Sequence, residues 1–444
     1  MAFRLIQRLV FTYNLVMGMN ETPQANRLHI AFFGRRNAGK SSLVNAVTGQ
    51  NLAIVSDIKG TTTDPVYKSM ELLPLGPVVI IDTPGFDDEG ALGELRIKKA
   101  KQVLNKTDAA VLVLDGELPP GAPLSAEEEE LLSIFEDKKI PYIIAVNKID
   151  LISSHTKVQR HEENGEEEAE VRAGSCKNQR FYSWFKKEKL PVSAKSGFNI
   201  NLLKEKIAEI AQKEETKQKL VEDLIKPNDL IILVIPIDKA APKGRLILPQ
   251  QQMIRGILEA GAAAISVRES ELQRTLENIG KKPALVITDS QVFAQVSEIV
   301  PGEIPLTSFS ILFARYKGFL ETAVNSARAL DDLKDSDKIL ICEGCTHHRQ
   351  CDDIGTVKIP RMVKKHCSKD IDFSFCSGGD FPQDLKKYKL IIHCGSCMLN
   401  EREMRWRRRH SEEQGIPFTN YGTAIAHMTG ILKRSIEIFQ INPD

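Results

Sequence analysis

The chain has 444 residues, which is too long for one ordinary domain and, at about 150 residues a domain, predicts about three. Its formal net charge of +1 shows no excess of either sign, so composition does not single out nucleic acid or an acidic membrane as the main partner. Eight cysteines are too few for a disulfide-stapled secreted scaffold, and seven of them stand from Cys342 onward. Clustered cysteine without a secretory signal indicates a metal site.

The first residues, 1–19, are largely apolar, but Thr12, Tyr13 and Asn14 interrupt the apolar run and no small-residue cleavage site follows. We therefore predict a disordered N-terminal extension rather than a signal peptide. No stretch of the sequence reaches the roughly 18 to 20 apolar residues of a membrane span. A cytoplasmic protein with no membrane partner is expected.

A short strand pattern, RLHIAFFG, runs into GRRNAGKSS, which fits the spacing G-x-x-x-x-G-K-S. In such a loop the glycines let backbone N–H groups surround phosphates at a helix N-terminus, and the lysine reaches the β and γ oxygens. The predicted nucleotide contacts in this loop are Gly34, Asn37, Ala38, Gly39, Lys40, Ser41 and Ser42, of which Ser41 also ligates Mg²⁺. Alone, the motif indicates only a nucleoside triphosphate.

The next motifs supply the remaining Mg²⁺ and phosphate contacts. VVIIDTPG places Asp82 at a strand end, where a carboxylate can hold Mg²⁺ through water, and Gly85 where its N–H can meet the γ-phosphate. NLAIVSDIKGTTTDP, between these two motifs, offers Thr62 as the second Mg²⁺ ligand, with Thr61 beside it.

Two later motifs predict the base. YIIAVNKID ends a strand with Asn147, Lys148 and Asp150, and a carboxylate that accepts both the ring N–H and the exocyclic amine selects guanine over adenine. VSAK completes the pocket with Ser193, Ala194 and Lys195. Any one motif also fits a strand end with turn residues, but all of them in this order predict a GTP site.

Together, GRRNAGKSS, AIVSDIKGTTTD, DTPG, NKID and SAK resemble the potassium-dependent GTPases typified by the tRNA-modification GTPase. The resemblance implies that K⁺ is ligated by Asn37 and by backbone oxygens of the loop with Ser56, Ile58 and Thr61. The cation then stabilises transition-state charge where an arginine finger would act elsewhere. Phe86 replaces the water-positioning glutamine of Ras-like enzymes, so slow, Mg²⁺-dependent, K⁺-stimulated hydrolysis is expected. The expected catalytic residues are Lys40, Asn37, Thr62 and Gly85.

The chain changes character after the GTPase motifs. Residues 153–189 are almost all polar and charged, so we predict a mobile insertion within a GTP-binding domain of residues 20–212. A charged linker over 213–229 follows. Strand-like and helical segments then alternate over 230–332, which predicts a parallel sheet with helices packed on it. No catalytic constellation appears there, so this domain is interpreted as a packing or oligomerisation module.

In the tail, two strand patterns, KILI and KLII, each run into a cysteine-rich loop. Parallel strands bring the loops at their carboxyl ends into one crevice, so distant ligands can converge. The loops carry Cys342, Cys345 and His347, then His393, Cys394 and Cys397. Two C-x-x-C pairs fit a zinc site, although their separation exceeds that of a zinc ribbon, and thiolates with one replaceable ligand fit an iron-sulfur cluster. The residues alone leave both metals open.

The pattern C-T-H, 45 residues, then H-C-G-S-C resembles the FeFe-hydrogenase maturation GTPases, the HydF family. The likeness covers nearly the whole chain from about residue 20 and includes CTHHRQCDDIGTVKIPR and PFTNYGTAIAHMTGIL. It implies an α/β chain of three domains: a P-loop GTPase domain, a parallel α/β dimerisation domain, and an α/β iron-sulfur cluster-binding domain over 333–444. It also implies a homodimer with a 4Fe-4S cluster that receives a dinuclear iron precursor from two radical-SAM maturases and delivers it to apo FeFe-hydrogenase.

The same resemblance assigns the cluster thiolates to Cys345, Cys394 and Cys397. His347 and His393 belong to the family motif as a fourth iron ligand or as hydrogen-bond donors beside the cluster, with a structural histidine as the alternative. Glu343 is a nearby oxygen alternative. The cysteines outside the motif are Cys342, which creates an extra C-x-x-C, and Cys351, Cys367 and Cys376.

A basic stretch, LNEREMRWRRRHSEEQG, follows the second loop. It fits a solvated helix face, a surface that attracts an anionic iron fragment or an acidic partner, or an RNA-binding face. The rival function for the whole chain is a potassium-dependent GTPase of RNA modification or ribosome assembly with a structural zinc. Nucleic acid is not the expected partner.

Overall fold

The computed structural model describes residues 22–50, 65–85, 91–116, 123–153, 189–211, 219–237, 246–345 and 353–441. The predicted N-terminal extension and nearly all of the predicted insertion lie outside these ranges. The chain divides into two compact units, one up to Glu214 and one from Glu215. No helix within the described ranges is both long and apolar enough to cross a bilayer.

The first unit is a six-stranded sheet with helices. Its strands are β1 (Leu28–Phe33), β2 (Val66–Leu72), β3 (Gly76–Asp82), β4 (Ala109–Asp115), β5 (Tyr142–Asn147) and β6 (Lys189–Pro191). Its helices are α1 (Lys40–Thr48), α2 (Ala91–Lys106), α3 (Ala126–Asp137), α4 (Ile149–Ser153) and α5 (Ile200–Ala211). The strand order is β2-β3-β1-β4-β5-β6, and every pairing is parallel except β2 with β3.

The continuous apolar runs of this sheet are explained by burial on both faces. Ile30 and Phe32 of β1 belong to one hydrophobic core, whereas Ala31 and Phe33 belong to another on the opposite face. A parallel strand covered by helices on both sides reads as an unbroken apolar segment rather than an alternating one. The sequence motifs that follow β1, β3 and β5 therefore emerge at one edge of the sheet.

The second unit contains two four-stranded sheets. Its strands are β7 (Leu230–Val234), β8 (Ala263–Val267), β9 (Leu285–Thr288), β10 (Leu306–Ser308), β11 (Lys338–Glu343), β12 (Asp372–Ser377), β13 (Leu390–His393) and β14 (Phe418–Asn420). Its α-helices are α6 (Leu248–Glu259), α7 (Leu272–Asn278), α8 (Phe293–Ile299), α9 (Phe309–Tyr316), α10 (Leu320–Ala327), α11 (Ile359–Cys367), α12 (Glu401–Glu413), α13 (Tyr421–Met428) and α14 (Leu432–Ile436). The strand orders are β10-β9-β7-β8 and β12-β11-β13-β14, with parallel pairing throughout.

The two sheets of the second unit share one hydrophobic core. Ile232 and Val286 of the first sheet and Ile339 and Ile391 of the second sheet belong to the same buried cluster. A polar contact joins the two halves as well: the Asn420 side chain of β14 donates to the carbonyl oxygen of Ser310, in the helix that follows β10, at 2.8 Å. The predicted dimerisation and cluster-binding domains thus pack as one unit.

Two segments of the second unit add detail to the sequence pattern. ILFARYKGFLETAVNSARAL, which has helical spacing, forms two helices, because α9 ends at Tyr316 and α10 begins at Leu320. The described end of the predicted linker packs against the second unit. Leu220, Val221 and Ile225 are buried in a core with α6 and β7, so the second unit begins before residue 229.

Candidate functional site

The nucleotide motifs of the first unit lie at one edge of its sheet, as expected. The phosphate loop connects β1 to α1, and its conformation depends on two glycines: Gly34 has φ +146° and Gly39 has φ +85°. A Cβ atom at Gly34 would lie 2.3 Å from the Val113 carbonyl oxygen, so no larger residue fits there. The loop thereby presents the first N–H groups of α1 to an anion.

Lys40 is buried and folded against the loop that precedes it. Its Nζ donates to the carbonyl oxygens of Gly34 at 3.0 Å and Arg35 at 2.8 Å. These hydrogen bonds hold the ammonium group inside the phosphate loop, where it faces the position of the β and γ phosphates. The positive charge is therefore in place before the nucleotide binds.

The two described Mg²⁺ candidates contact each other directly. The Ser41 hydroxyl donates to Asp82 Oδ2 at 2.6 Å, while Asp82 Oδ1 is buried and has no hydrogen-bond partner within the described ranges. Burial raises the pKa of Asp82, against the opposing effects of the Ser41 hydrogen bond and the Lys40 charge. A buried carboxylate oxygen without a donor fits a cation, so the residues present suit Mg²⁺.

The base-recognition residues form a connected hydrogen-bond network. The Asn147 side chain donates to the Ala38 carbonyl at 3.1 Å and accepts from the Ala194 N–H at 3.0 Å, which ties the phosphate loop to the SAK motif. The Ser193 hydroxyl donates to Asp150 Oδ1 at 2.6 Å and so orients the carboxylate that the sequence predicts to select guanine. The shape of the predicted base pocket therefore depends on the phosphate loop, the NKID motif and the SAK motif together.

Lys148 has a partner that sequence reasoning missed. Its φ is +66° and its Nζ lies 2.8 Å from Asp115 Oδ2, at the end of β4. Asp115 could have been found by the rule applied to the other strands, since it ends a buried parallel strand at the same edge.

The structure shows fewer contacts for the other predicted residues of the GTP site. Asn37 has an exposed side chain and a left-handed backbone, with φ +61°. Ser42, Gly85 and Lys195 are described residues of the phosphate-loop, DTPG and SAK motifs. The predicted contacts Ser56, Ile58, Thr61 and Thr62 lie outside the described residues, as does Phe86.

The two cysteine-rich loops of the second unit meet at the carboxyl ends of β11 and β13. These strands are parallel neighbours, with Cys342 opposite His393, and the Cys394 N–H donates to the Cys342 carbonyl at 2.8 Å. The Gly344 N–H of the first loop points at Cys394 Sγ of the second loop, with a distance of 3.1 Å. Cys345 follows Gly344 in the chain, so this contact places the first cysteine loop beside the second.

Backbone donors surround the Cys394 sulfur. Besides Gly344, the Ser396 N–H lies 3.3 Å from Cys394 Sγ. Burial raises the pKa of Cys394, although these two N–H groups favour its thiolate, and burial with the nearby Cys394 raises the pKa of Cys397 to about 12. Burial thus disfavours the thiolate form of both sulfurs, whereas a metal ion binds cysteine as the thiolate. N–H groups directed at a cysteine sulfur suit an iron-sulfur ligand.

The spacing of the thiols bears on the choice of metal. No three thiol sulfurs of the described residues lie within 4.8 Å of one another. A single tetrahedral zinc ion with Zn–S bonds of ~2.3 Å holds its sulfurs only about 3.8 Å apart. A 4Fe-4S cluster spaces its thiolates more widely, because each binds a different iron. The loops are thus not preformed for one zinc ion.

His393 is fully buried, and both of its ring nitrogens are engaged. Nε2 lies 3.0 Å from Arg407 Nη1, and Nδ1 lies 3.0 Å from both the Ser396 hydroxyl and the Cys394 carbonyl oxygen. Since the guanidinium only donates, Nε2 accepts and Nδ1 carries the proton. Burial and the Arg407 charge lower the pKa of His393 to about 3. In this arrangement His393 supports the Cys394 loop and offers no nitrogen to iron.

Cys342 and Glu343, the last two residues of β11, each contact a neighbouring element. The Glu343 side chain is buried beside the Tyr421 hydroxyl, at 3.4 Å, and Cys342 Sγ lies 2.9 Å from Cys376 Sγ of the neighbouring strand β12. His347 and Cys351 lie outside the described residues. The extra C-x-x-C is therefore split, because Cys342 pairs with a cysteine that the motif does not contain.

Arg407 is a site residue that sequence reasoning did not separate from its neighbours. Arg405, Arg408 and Arg409 pair on the helix surface with glutamates one turn away, as a solvated face predicts. Arg407 is instead fully buried, and besides His393 it donates to Glu403 at 2.9 Å and to the Gly378 carbonyl at 2.6 Å. Arg407 differs from the other three arginines only in that its side chain is directed toward the sheet.

Replacing Asp82 with Asn should weaken Mg²⁺-dependent nucleotide binding at least about tenfold, because the cation loses an anionic partner. The same binding in the unchanged protein should be complete above the raised pKa of Asp82 and should fall as the pH drops through it, since only the carboxylate attracts Mg²⁺. Fluorescent-nucleotide titration at several Mg²⁺ concentrations and pH values measures both effects. The exposed Asp137→Asn is the control, and equal Mg²⁺ dependence in both variants would contradict the assignment.

Two arginines of α12 provide a matched test of the buried network. Arg407→Met should lower the free energy of unfolding of the second unit by about 3–5 kcal/mol, because it leaves Glu403 and His393 buried without their partner. Arg409→Met, which removes an exposed pair, should cost less than about 1 kcal/mol. Urea unfolding monitored by circular dichroism compares them. Similar losses in both variants would show that the network adds no stability.

Three family models match the chain, in the order that the motifs predict. A 50S ribosome-binding GTPase model matches residues 29–148. The hydrogen maturase F dimerization domain matches residues 220–318, and the hydrogen maturase F tetramerization domain matches residues 321–438. Every described nucleotide-binding residue up to Lys148 lies in the first match, and Cys345, Cys394 and Cys397 lie in the third.

Curated relatives share part of the chain. GTPase Der of Wolinella succinogenes is 32% identical over 195 residues, which are 43% of this chain and 37% of that protein. tRNA modification GTPase MnmE of Desulforamulus reducens is 35% identical over 136 residues, 30% of this chain and 28% of its own length. GTPase Era of Heliobacterium modesticaldum is 30% identical over 179 residues, 40% of this chain and 53% of its own. The chain thus spans between 28% and 53% of these relatives.

Among solved structures, Era of Aquifex aeolicus bound to GDP and AlF₄⁻ is 19% identical, with 57% of this chain and 98% of that chain covered at a TM-score of 0.33, too low to bear on the assignment. The family models are decisive, because they account for the tail as well as for the nucleotide motifs. The N-terminal unit is a GTPase domain, and the dimerization and tetramerization domains that follow it show that the chain belongs to the hydrogen maturase F family.

Proposed function

We propose that the protein is a GTP-hydrolysing scaffold and carrier that binds a 4Fe-4S cluster, receives a dinuclear iron precursor from two radical-SAM maturases and delivers it to apo FeFe-hydrogenase. The observation that carries this proposal is the meeting of the two cysteine loops. The Gly344 N–H, one residue before Cys345, lies 3.1 Å from the sulfur of Cys394. The same residues fall within the match to the hydrogen maturase F tetramerization domain.

Cys345, Cys394 and Cys397 would hold the cluster, and the cluster would supply one iron without a protein thiolate, at which an incoming iron fragment can bind. The chain prepares that position in two ways. Gly344 and Ser396 donate N–H groups to Cys394 Sγ, and neutral His393 fixes the Cys394 backbone through its Nδ1–H. Arg407, fully buried behind His393, keeps a positive charge close to the Cys394 sulfur, which favours its thiolate form.

The GTPase domain would act as a switch. GTP with Mg²⁺ would order the loops around Thr62 and Gly85, which changes how a GTPase presents its surface to partners. We infer slow, K⁺-stimulated hydrolysis in which Lys40 stabilises the phosphate charge. In this proposal K⁺ is held by the Asn37 side chain together with the loop of Ser56, Ile58 and Thr61. The left-handed backbone of Asn37, with an exposed side chain, supports the assignment, because that side chain is available to a cation.

Self-association belongs to the same proposal. The second unit carries domains named for dimerization and tetramerization, and we infer a homodimer as the working form. The rival function, an RNA-modification or ribosome-assembly GTPase with structural zinc, draws support from the names of the GTPase relatives. It leaves the two maturase domains unexplained.

Cluster binding is tested by anaerobic reconstitution of the full chain with iron and sulfide. The unchanged protein should show the paramagnetic signal of a reduced 4Fe-4S cluster and, once loaded with the precursor, should activate apo-hydrogenase. Cys394→Ser should lose both, because it removes a ligand. Cys367→Ser, a partly buried cysteine outside the motif, is the control and should keep both. Stoichiometric zinc and tight RNA binding in place of the cluster would support the rival function.

The potassium site is tested separately. The unchanged protein should hydrolyse GTP faster in potassium than in sodium, and Asn37→Ala should hydrolyse it equally slowly in both, because the cage loses its side-chain ligand. Phosphate release at fixed Mg²⁺ and ionic strength measures the rates. Equal rates in the two salts for the unchanged protein would remove the basis for the cage without affecting the iron-sulfur assignment.

A further inference from the structure

A compact cluster of two histidines and one carboxylate lies in the second unit, apart from the residues of the cysteine loops. Asp331 follows a short helical turn, Arg328–Leu330, while His366 and His427 are the last residues but one of α11 and α13. One ligand atom from each of the three lies within 4.8 Å of the others. Among the described residues, no other group of histidine, cysteine or carboxylate side chains meets this condition.

The carboxylate bridges the two rings. His366 Nε2 lies 2.8 Å from Asp331 Oδ1, and His427 Nε2 lies 2.8 Å from Asp331 Oδ2. The ring centroids are 5.8 Å apart, so both imidazoles face the same small volume. The three side chains are 52%, 25% and 17% exposed, for Asp331, His366 and His427 in turn. The cluster is therefore open to ions from solvent.

The surrounding backbone favours a cation at this point. His366 lies in the last turn of α11 and His427 in the last turn of α13, where the partial negative charge of a helix C-terminus is concentrated. Of the two lysines in the last turn of α11, Lys364 is paired with Asp370 at 2.8 Å, and Lys365, next to His366, is exposed to solvent.

We propose that Asp331, His366 and His427 form a binding site for Zn²⁺, with solvent water completing the coordination. Two imidazoles and one carboxylate are a donor set that zinc accepts in a four-coordinate site with one open position. In the metal-free form each Nε2–H donates to Asp331. On binding, each ring carries its proton on Nδ1 instead, and the Nε2 lone pairs bind the metal.

The site is independent of the cluster and nucleotide chemistry. Its three residues belong to the region matched by the tetramerization domain, and none is a cysteine. Zinc bound here would connect the segment that follows the first sheet, which contains Asp331, to two helices beside the second sheet, which contain His366 and His427. Asp331 precedes β11 in the chain, whereas both histidines follow it. The proposed role is to fasten these elements together.

The test uses the full chain saturated with Mg²⁺ and GDP, so that the nucleotide site does not take up zinc. Zinc affinity is measured by competition with a chromogenic chelator for the unchanged protein, His366→Ala, His427→Ala and Asp331→Asn. Each substitution should weaken one zinc equivalent by at least the ~10–100-fold that loss of even an outer hydrogen-bond partner costs. His410→Ala is the matched control, since its ring contacts only Gln383 and Gln414 among hydrogen-bond partners, and should bind as the unchanged protein does.

Cobalt substitution identifies the donor atoms. The difference spectrum between the unchanged protein and His366→Ala should show visible ligand-field bands without a sulfur-to-cobalt charge-transfer band, because no thiol takes part. Asp331→Asn keeps the size of the side chain, so circular dichroism can confirm that the variant is folded. Unaltered zinc affinity in folded Asp331→Asn and in both histidine variants, or a difference spectrum dominated by sulfur, would overturn the proposal.

Discussion

The convergence of parallel strands on one edge is the constraint on which both candidate sites depend. In the first unit, β1, β3 and β5 place the phosphate loop, Asp82 and Asn147 side by side. In the second unit, the pairing of β11 with β13 sets Cys342 opposite His393 and brings together loops that are 50 residues apart at the Gly344 to Cys394 contact. Neither site could be assembled by local sequence, because its members meet only through sheet pairing.

Both sites hold polar groups that are costly to bury. Asp82 has an oxygen without a donor among the described residues, and its pKa is raised; His393 is held neutral between Arg407 and Ser396. The two sites satisfy these buried polar groups in different ways. The Asp82 site leaves a charge to be satisfied by a cation, whereas the His393 network satisfies its members internally and so holds the Cys394 loop in place.

The shared core of the second unit gives the cysteine loops a rigid base. Ile339 and Ile391 lie on the strands that carry those loops, and they belong to the same buried cluster as Ile232 and Val286 of the other sheet. A strand buried in this way does not shift alone, because interiors are closely packed.

The sequence by itself determined the alternating strands and helices, the parallel sheets, and the GTP motifs, because apolar runs and phosphate-loop glycines are local features read one segment at a time. It also predicted that the two cysteine loops would meet. Only the tertiary structure decided that Arg407 is buried while Arg409 is exposed, that Cys342 faces Cys376, and that Asp331 joins His366 to His427. The physical reason is that side-chain direction and contacts between distant elements are set by packing, which no spacing along the chain records.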